Sequence, residues 1–439
     1  MAVFTAGKQR YVWPDGSTQR IPPPSRTLAA TVQGSLRLID DKPISYRRIY
    51  RTQPWVAAAV HMLARQIARL PLHVFRPTED VTGAAVNRER VRPGEHQLAR
   101  LLASPAVRRS PVDLKTEIAH GLLVDGNHLE RIVTQRGIPV RLEKIEWTSV
   151  IPHLSEDDLH VVVWEVRPSP TAEPEYLGPE EVLHFRWSAP DGPIGVSPLE
   201  HLGVTIRSEN AAQRYAESGL KHGGMRGIGV LLSKDASTDP DQRETLRQEI
   251  LHRYSGPDRA HMPYVLGGVE SIEQIPGQTA VEAELINQRY LNREEIAAVY
   301  GVPPVLIGDL RHATYSNVNE MHSMLYLTFL APWLELIAGQ TQAQLVAQTP
   351  EWAADGVWVE WNLDEVLKGD VRERMQAYKL GLAAGALTIN DIRRKENLPP
   401  FPDEAADEPL IAANNLQPLS VLVAALDPNA RRLPGADEQ

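Results

Sequence analysis

Glu295-Ile296-Ala297-Ala298-Val299-Tyr300-Gly301-Val302-Pro303-Pro304-Val305-Leu306-Ile307-Gly308, with the polar run Asp309 to Asn317 behind it, is the stretch on which the fold turns. Upstream of it, Val281 to Tyr300 reads as a helix. That helix gives way at Gly301 to a loop rich in Gly, Pro and polar residues that lasts to Tyr315. A further helix starts near Asn317, where Asn317 and Glu320 have the spacing of a capping box. It is expected to reach about Ile337 with Pro332 inside it. A proline removes one helical hydrogen bond, so a kink is expected there.

On the N-terminal side, Ser197-Pro198 opens a helix reaching about His222, with serine as N-cap and proline next. Leu199, Leu202 and Ile206 begin an apolar stripe, but Arg207, Glu209, Asn210, Gln213, Arg214, Glu217 and Lys221 follow. A long helix this polar does not sit deep in a monomer core. It bridges regions or packs beside copies of itself. Between the two long helices lies an α/β insert: a strand at Gly229–Leu232, a helix at Asp239–Tyr254, and two short strands over Tyr264–Ile275.

Further out, Pro54 to Leu70 is a helix with Val56, Val60, Leu63, Ile67 and Leu70 on one face, opened by Pro54 and stopped by Pro71. Leu72–Phe75 is a short strand. Pro111 to Val124 is a helix ended by Gly126-Asn127. From Leu129 to His184 β-branched and aromatic residues alternate with Pro and Gly turns, the pattern of strands. After the loop, Val357–Trp361 reads as a strand and Asp370–Ala384 as a helix. Thr388 and Asp391 cap a last short helix. Residues 1–40 read as an irregular arm with Pro22-Pro23-Pro24. The Pro-, Ala- and acid-rich end reads as a flexible tail. The pattern is α+β.

Composition bounds the function. The 439 residues suggest two or three domains, and 42% apolar with 23% charged residues is ordinary for a folded, soluble protein. No apolar run approaches the roughly 18 residues of a membrane span. Met1 to Arg20 lacks the pattern of a secretion signal, so an intracellular starting place is expected. There is no cysteine, which excludes disulfides, thiolate metal sites and cysteine nucleophiles. A net charge of −10 argues against tight wrapping of DNA, though not against DNA sliding past.

Catalytic signatures are missing. There is no GxxxxGK[ST], HExxH or GxSxG. Gly224-Met225-Arg226-Gly227-Ile228-Gly229 leads into a strand, whereas a phosphate cradle needs a helix behind it. His120 and His128 flank a helix end, His312 and His322 lie ten apart, and neither pair has tight ligand spacing. Asp157-Asp158 is a turn pair. No catalytic residue, metal site or cofactor is expected.

The order of short motifs resembles the HK97-type portal family of tailed double-stranded DNA bacteriophages. Gln66-Ile67-Ala68-Arg69-Leu70-Pro71-Leu72-His73-Val74-Phe75 is similar to the family's opening segment. His96 to Ser104-Pro105 and Gly126-Asn127-His128 follow in order. So do Val182-Leu183-His184-Phe185-Arg186, Asp191-Gly192 and Gly195-Val196-Ser197-Pro198-Leu199. The most specific block is Glu295 to Gly308, continued by Thr314-Tyr315-Ser316-Asn317 and Leu330-Ala331-Pro332-Trp333. The likeness covers roughly residues 45 to 405. Ala106 stands where the family usually has Asn, and Gly223-Gly224-Met225-Arg226 replaces a family turn.

The resemblance implies a portal fold with wing, long-helix stem, α/β clip and helical C-terminal crown. Its subunits form a ring of about twelve at one capsid vertex. On this chain it implies an arm at 1–40, wing at 41–196, stem helix at 197–224, clip at 225–276 and second stem helix at 277–303. The tunnel loop would be 304–318, the kinked helix and remaining wing 319–368, the crown 369–402 and the tail 403–439. It implies packaging and ejection of double-stranded DNA without sequence specificity, and assembly in the host cytoplasm into the virion as head–tail connector. The implied partners are large terminase, major capsid protein and a head-completion adaptor, with no membrane and no enzymatic activity. Gly308, Asp309, Leu310, Arg311, His312, Ala313, Thr314 and Tyr315 would line the channel, with Arg311 and His312 its charged or chargeable members. Arg311 would meet phosphate, or instead pair with Asp309 or a neighbouring acid. Pro332 would transmit movement to the loop, or simply bend its helix. Lys234, Asp235, Arg253 and Arg259 would belong to the docking surface of the clip. The alternatives are a soluble enzyme with a dispersed site, marked by a monomer or dimer with a closed polar pocket, and an adaptor, which would be far shorter.

Overall fold

The structure, a computed structural model of the 439-residue chain, describes residues 45–78, 87–155, 160–169, 171–190, 192–221, 269–274, 278–309, 311, 324–363, 371–396 and 398–412. It also describes short segments at 2–5, 8–12, 18–20, 35–36, 44, 228–232, 244–245, 248, 252 and 416–418. The chain divides into two compact units, residues 1–362 and 363–439.

The N-terminal segment, expected to be irregular, contains regular pairing. Strands β1 (Ala2–Thr5), β2 (Lys8–Val12) and β3 (Thr18–Arg20) form an antiparallel meander, and β4 (Ser35–Leu36) pairs with β5 (Ile44–Ser45). Val3, Phe4, Thr5, Tyr11, Val12 and Thr18 are residue types that suit a pleated strand, and this outweighs the prolines further on.

Helix α1 (Tyr46–Thr52) is followed by α2 (Pro54–Arg69), whose buried face is Val56, Ala59, Val60, Leu63, Ala64 and Ile67. That face was legible from helical spacing. Strands β6 (Leu72–Thr78) and β7 (Asn87–Val91), α3 (Gln97–Ala103) and α4 (Pro111–Asp125) come next. Ser110 and Asp113 cap α4 reciprocally, and Gly126 ends it in the left-handed region at φ 72°. Strands β8 (Asn127–Gln135), β9 (Ile138–Ile145), β10 (Val150–Leu154), β11 (Val161–Val166), β12 (Glu175–Leu177) and β13 (Val182–Arg186) then form two antiparallel sheets, ordered β13-β8-β9 and β10-β11-β12. They share one apolar core around Leu129, Trp147, Trp164, Leu177 and Val182.

A 3-10 turn at Pro198–Leu202 leads into α5 (Gly203–Lys221). Strands β14 (Ile228–Leu232) and β15 (Val269–Gln274) pair antiparallel, and α6 (Gln278–Val299) follows. One strand, rather than two, is described over 264–275. The helix expected at 239–254 falls mostly outside the described residues.

The helix after the loop differs from expectation. It is described from Met324, and it runs as a π-helical turn (Leu325–Leu330), α7 (Ala331–Thr341) and a second π-helical turn (Gln342–Val346). It therefore continues well past Ile337. Pro332 sits in the first turn of α7, directly behind a π turn, instead of interrupting an α-helix. A missing N–H costs least at a first turn, and the wider π turn absorbs the change of hydrogen-bond register. After α8 (Pro350–Ala354), β16 (Trp358–Trp361) returns to pair with β6, setting Trp358 opposite Phe75 and Trp361 opposite Leu72.

The second unit holds α9 (Val371–Ala383) and α10 (Ile389–Lys395), the latter capped by Thr388 and Asp391 as expected. The expected tail is partly ordered. The side-chain amide of buried Asn390 donates to Asp407 (2.7 Å) and accepts from the Phe401 N–H (2.8 Å), while Arg394 donates to Asp407 (2.6 Å). A hairpin of β17 (Leu410–Ala412) and β18 (Leu416–Pro418) follows. Acid-rich composition suggested a solvated tail, but Asp407 has buried and cationic partners nearby in sequence. Among the described residues no helix is long and apolar enough to cross a membrane.

Candidate functional site

Motifs scattered over seventy positions meet at one buried junction where the sheets hand over to α5. Asn127, nearly inaccessible, follows the left-handed turn at Gly126. Its side-chain oxygen accepts from the Gly195 N–H (2.8 Å) and from His184 Nε2 (3.0 Å). Its amide nitrogen donates to the carbonyls of Gly195 (2.7 Å) and Asp125 (3.1 Å). Ser197 Oγ donates to the Val124 carbonyl (2.6 Å) and accepts from Leu199 N–H (3.1 Å), so one hydroxyl ties off α4 and starts the turn into α5.

The glycines are required by close approach. A Cβ on Gly126 would lie 2.5 Å from the Val196 carbonyl oxygen, and one on Gly195 would lie 2.2 Å from that of Gly126. Burial between Trp147 and Trp164 pushes the His184 imidazole down to about 3, so it stands neutral with Nε2 as donor.

From this junction α5 packs on α6 through polar contacts. Glu209 is fully buried and accepts from Arg289 (3.1 Å), Asn292 (3.2 Å) and Gln213 (3.2 Å). Thr205 donates to Glu295 (2.6 Å), and Gln53, the N-cap of α2, donates to Asn210 (2.6 Å). A helix that looks polar in sequence is thus held by a few paired groups. Its exposed residues still include Val204, and α6 exposes Ile286, Leu291 and Val299.

The Pro-Pro block then folds tightly. Gly301 is left-handed at φ 64°, and Val302 N–H reaches back to the Ala297 carbonyl (2.8 Å). Pro304–Ile307 makes a 3-10 turn closed by Gly308 at φ 101°. Asp309 ends up buried although it lies in a loop. Arg311 grips it through Nε (2.9 Å) and Nη2 (2.5 Å), and also donates to Glu294 (2.9 Å). Arg293 also reaches the Asp309 carboxylate (3.3 Å). The two guanidiniums lie on aromatic faces, Arg293 3.8 Å over Trp55 and Arg311 3.9 Å over Tyr290. Hydrogen bonds from Arg311 hold the Asp309 carboxyl down to about 2.

Of the expected channel residues, Gly308, Asp309 and Arg311 are thus placed, and Arg311 pairs with Asp309 and Glu294. Leu310, His312, Ala313, Thr314 and Tyr315 lie outside the described residues, as do Lys234, Asp235, Arg253 and Arg259. The partners Tyr290, Arg293, Glu294 and Trp55 were not anticipated. Only the proximity of Arg293 and Glu294 to the Pro-Pro block hinted at two of them. Among the described residues no cluster of His, Asp or Glu is arranged to hold a metal ion.

This architecture of small antiparallel sheets, paired long helices and a proline-built turn matches solved structures of virus-like particle necks. The chain superposes on a chain from the neck of an empty gene transfer agent particle computed with C6 symmetry (TM-score 0.54, 22% identity, 85% of this chain and 99% of that one). It also superposes on one from the neck of the native particle computed with C12 symmetry (TM-score 0.53, 21% identity, 87% and 96%). In sequence it is 27% identical over 372 residues to a probable portal protein of Streptomyces phage phiC31, covering 82% of this chain and 77% of that one. It is 26% identical over 229 residues to the portal protein of Enterobacteria phage HK97, covering 51% and 52%. The phage portal protein family matches residues 54–397, and the chain belongs to that family. As a portal protein it belongs to the phage head–tail neck, and the general role of portals is to provide the channel for DNA packaging.

Proposed function

We propose that about twelve copies of this chain form a ring at one capsid vertex, with α5 and α6 as stem and the segment after Gly308 facing the channel. In this reading residues 225–276 dock the large terminase during packaging and a head-completion adaptor afterwards. The body built from β6 to β13 with β16 is the wing, set against the major capsid protein. The unit from 369 lies toward the capsid interior. Subunits assemble in the host cytoplasm and remain in the virion. ATP hydrolysis belongs to the terminase.

The observation that carries the ring is the stem pair. α5 and α6 bind each other through charged and amide groups around Glu209, yet leave Val204 71% and Ile286 55% exposed. Apolar side chains on a long polar helix pair are the surface that neighbouring copies would cover. The split wing is supported by β16, which brings residues 358–361 back to β6. Negative-stain electron microscopy with native mass of the purified chain tests the reading. Rings of eleven to thirteen subunits with a central hole are expected, without nucleotide hydrolysis. A monomer at high concentration, or robust ATPase activity, would count against it.

A further inference from the structure

The sheet β13-β8-β9 has β13 at its edge. The Trp187 N–H points inward, to the Gly126 carbonyl (2.9 Å), so by strand alternation Leu183 and Phe185 also face β8. His184 and Arg186 therefore face outward with an N–H and a carbonyl each. In most sheets such a row is an open template for another strand.

Here the row is filled by two side chains of the helix that follows the loop. Gln344 Oε1 accepts from His184 N–H (2.9 Å), and its Nε2 donates to the His184 carbonyl (2.8 Å). Gln340 does the same at Arg186, accepting at 3.0 Å and donating at 3.1 Å. Each carboxamide thus takes the place of a peptide group on a neighbouring strand. The spacing fits: glutamines four apart on a helix rise by about 6 Å, and outward residues two apart on a strand are separated by about 6.8 Å. Gln342, between them, donates to the Val357 carbonyl (3.2 Å) just ahead of β16. Trp333 stacks on Trp187 with ring centroids 3.6 Å apart, and Trp361 Nε1 donates to the Leu334 carbonyl (2.7 Å). The segment Gln340-Thr341-Gln342-Ala343-Gln344 lies beyond Ile337, where the sequence suggested that the helix ends. In the fold it bonds backbone on two sides.

We propose that Gln340 and Gln344 are positioning residues. Their amides act as a surrogate strand on β13, fix the register of the 325–346 helix, and so fix where its described part begins, at Met324, relative to the Asn127 junction. An apolar contact surface tolerates sliding, whereas paired donors and acceptors at matched spacing accept one register. The clamp does not rest on the portal reading.

The test is hydrogen exchange on the full-length protein carrying Q340L and Q344L together. Leucine is one atom shorter but keeps helix propensity, and it offers no donor or acceptor. Val163→Ala, in the other sheet, serves as a destabilised control with similar loss of stability. The expected result is exchange about tenfold faster or more at His184 and Arg186, with no comparable change at Leu183 and Phe185, and faster exchange across 324–330. Val163→Ala should change neither region. Unchanged exchange at His184 and Arg186 would overturn the clamp. Opening there with 324–330 no different from the control would overturn its positioning role. Neither result depends on ring formation, which electron microscopy reads separately.

Discussion

Replacing Asn127 by Ala removes four hydrogen bonds from a site with almost no access to water. The Gly195 N–H and carbonyl, the Asp125 carbonyl and the His184 Nε2–H all lose this partner together. A buried polar group stripped of its partner costs ~1–3 kcal/mol. Four groups in one shared network, which do not add fully, bring the loss to ~3–6 kcal/mol. That is a large share of the ~5–15 kcal/mol by which a folded domain exceeds its unfolded chain. The assay is urea unfolding of wild type and variant at equal subunit concentration, because association itself stabilises. Asn127→Asp is the sharper companion. It puts an oxygen where Nδ2 stood, 2.7 Å from the Gly195 carbonyl oxygen. At neutral pH it should lose at least as much as Asn127→Ala. A loss below ~1 kcal/mol for Asn127→Ala would refute the reasoning, since that is the scale of one ordinary solvated hydrogen bond.

Other outcomes follow from the same geometry. Gly126→Ala should lower the melting temperature far more than Gly137→Ala: both glycines are left-handed, but a Cβ at 126 meets the Val196 carbonyl at 2.5 Å and one at 137 meets nothing within 4 Å. For His184, whose pKa is about 3 when folded against an ordinary 6.5, the unfolded chain takes up the proton first. Its contribution is therefore complete above pH 6.5 and declines by ~1.4 kcal/mol per pH unit toward about pH 3. His184→Gln should flatten that stretch of the stability–pH curve. The depressed Asp309 carboxyl contributes above its ordinary value near 3.8, and the contribution is lost as pH falls through about 2. Arg311→Gln should move this loss to higher pH in an acid titration while the subunit stays folded at neutrality, because Arg293 still faces Asp309.

The apolar face of α2, the stop at Gly126 and the Thr388–Asp391 box were all legible, because spacing and capping act within a few residues. The ordered run of motifs was enough to indicate the family. The extent of the helix around Pro332 was misread because π turns leave no simple spacing in the sequence. The strands within residues 1–40 were hidden behind prolines that lie outside them.

The sequence by itself determined the local elements, the order of motifs and the absence of cysteine chemistry, since each depends on residue type and near neighbours. Tertiary structure alone decided that Asn127, His184 and Gly195 share one network, that β16 returns to β6, that Asp309 is buried and also meets Arg293 from α6, and that Gln340 and Gln344 close the edge of β13. Each of these joins groups through space across many intervening residues. A carboxamide or a strand edge has the same chemistry wherever it lies, so its partner is chosen by packing and not by anything written beside it in the chain.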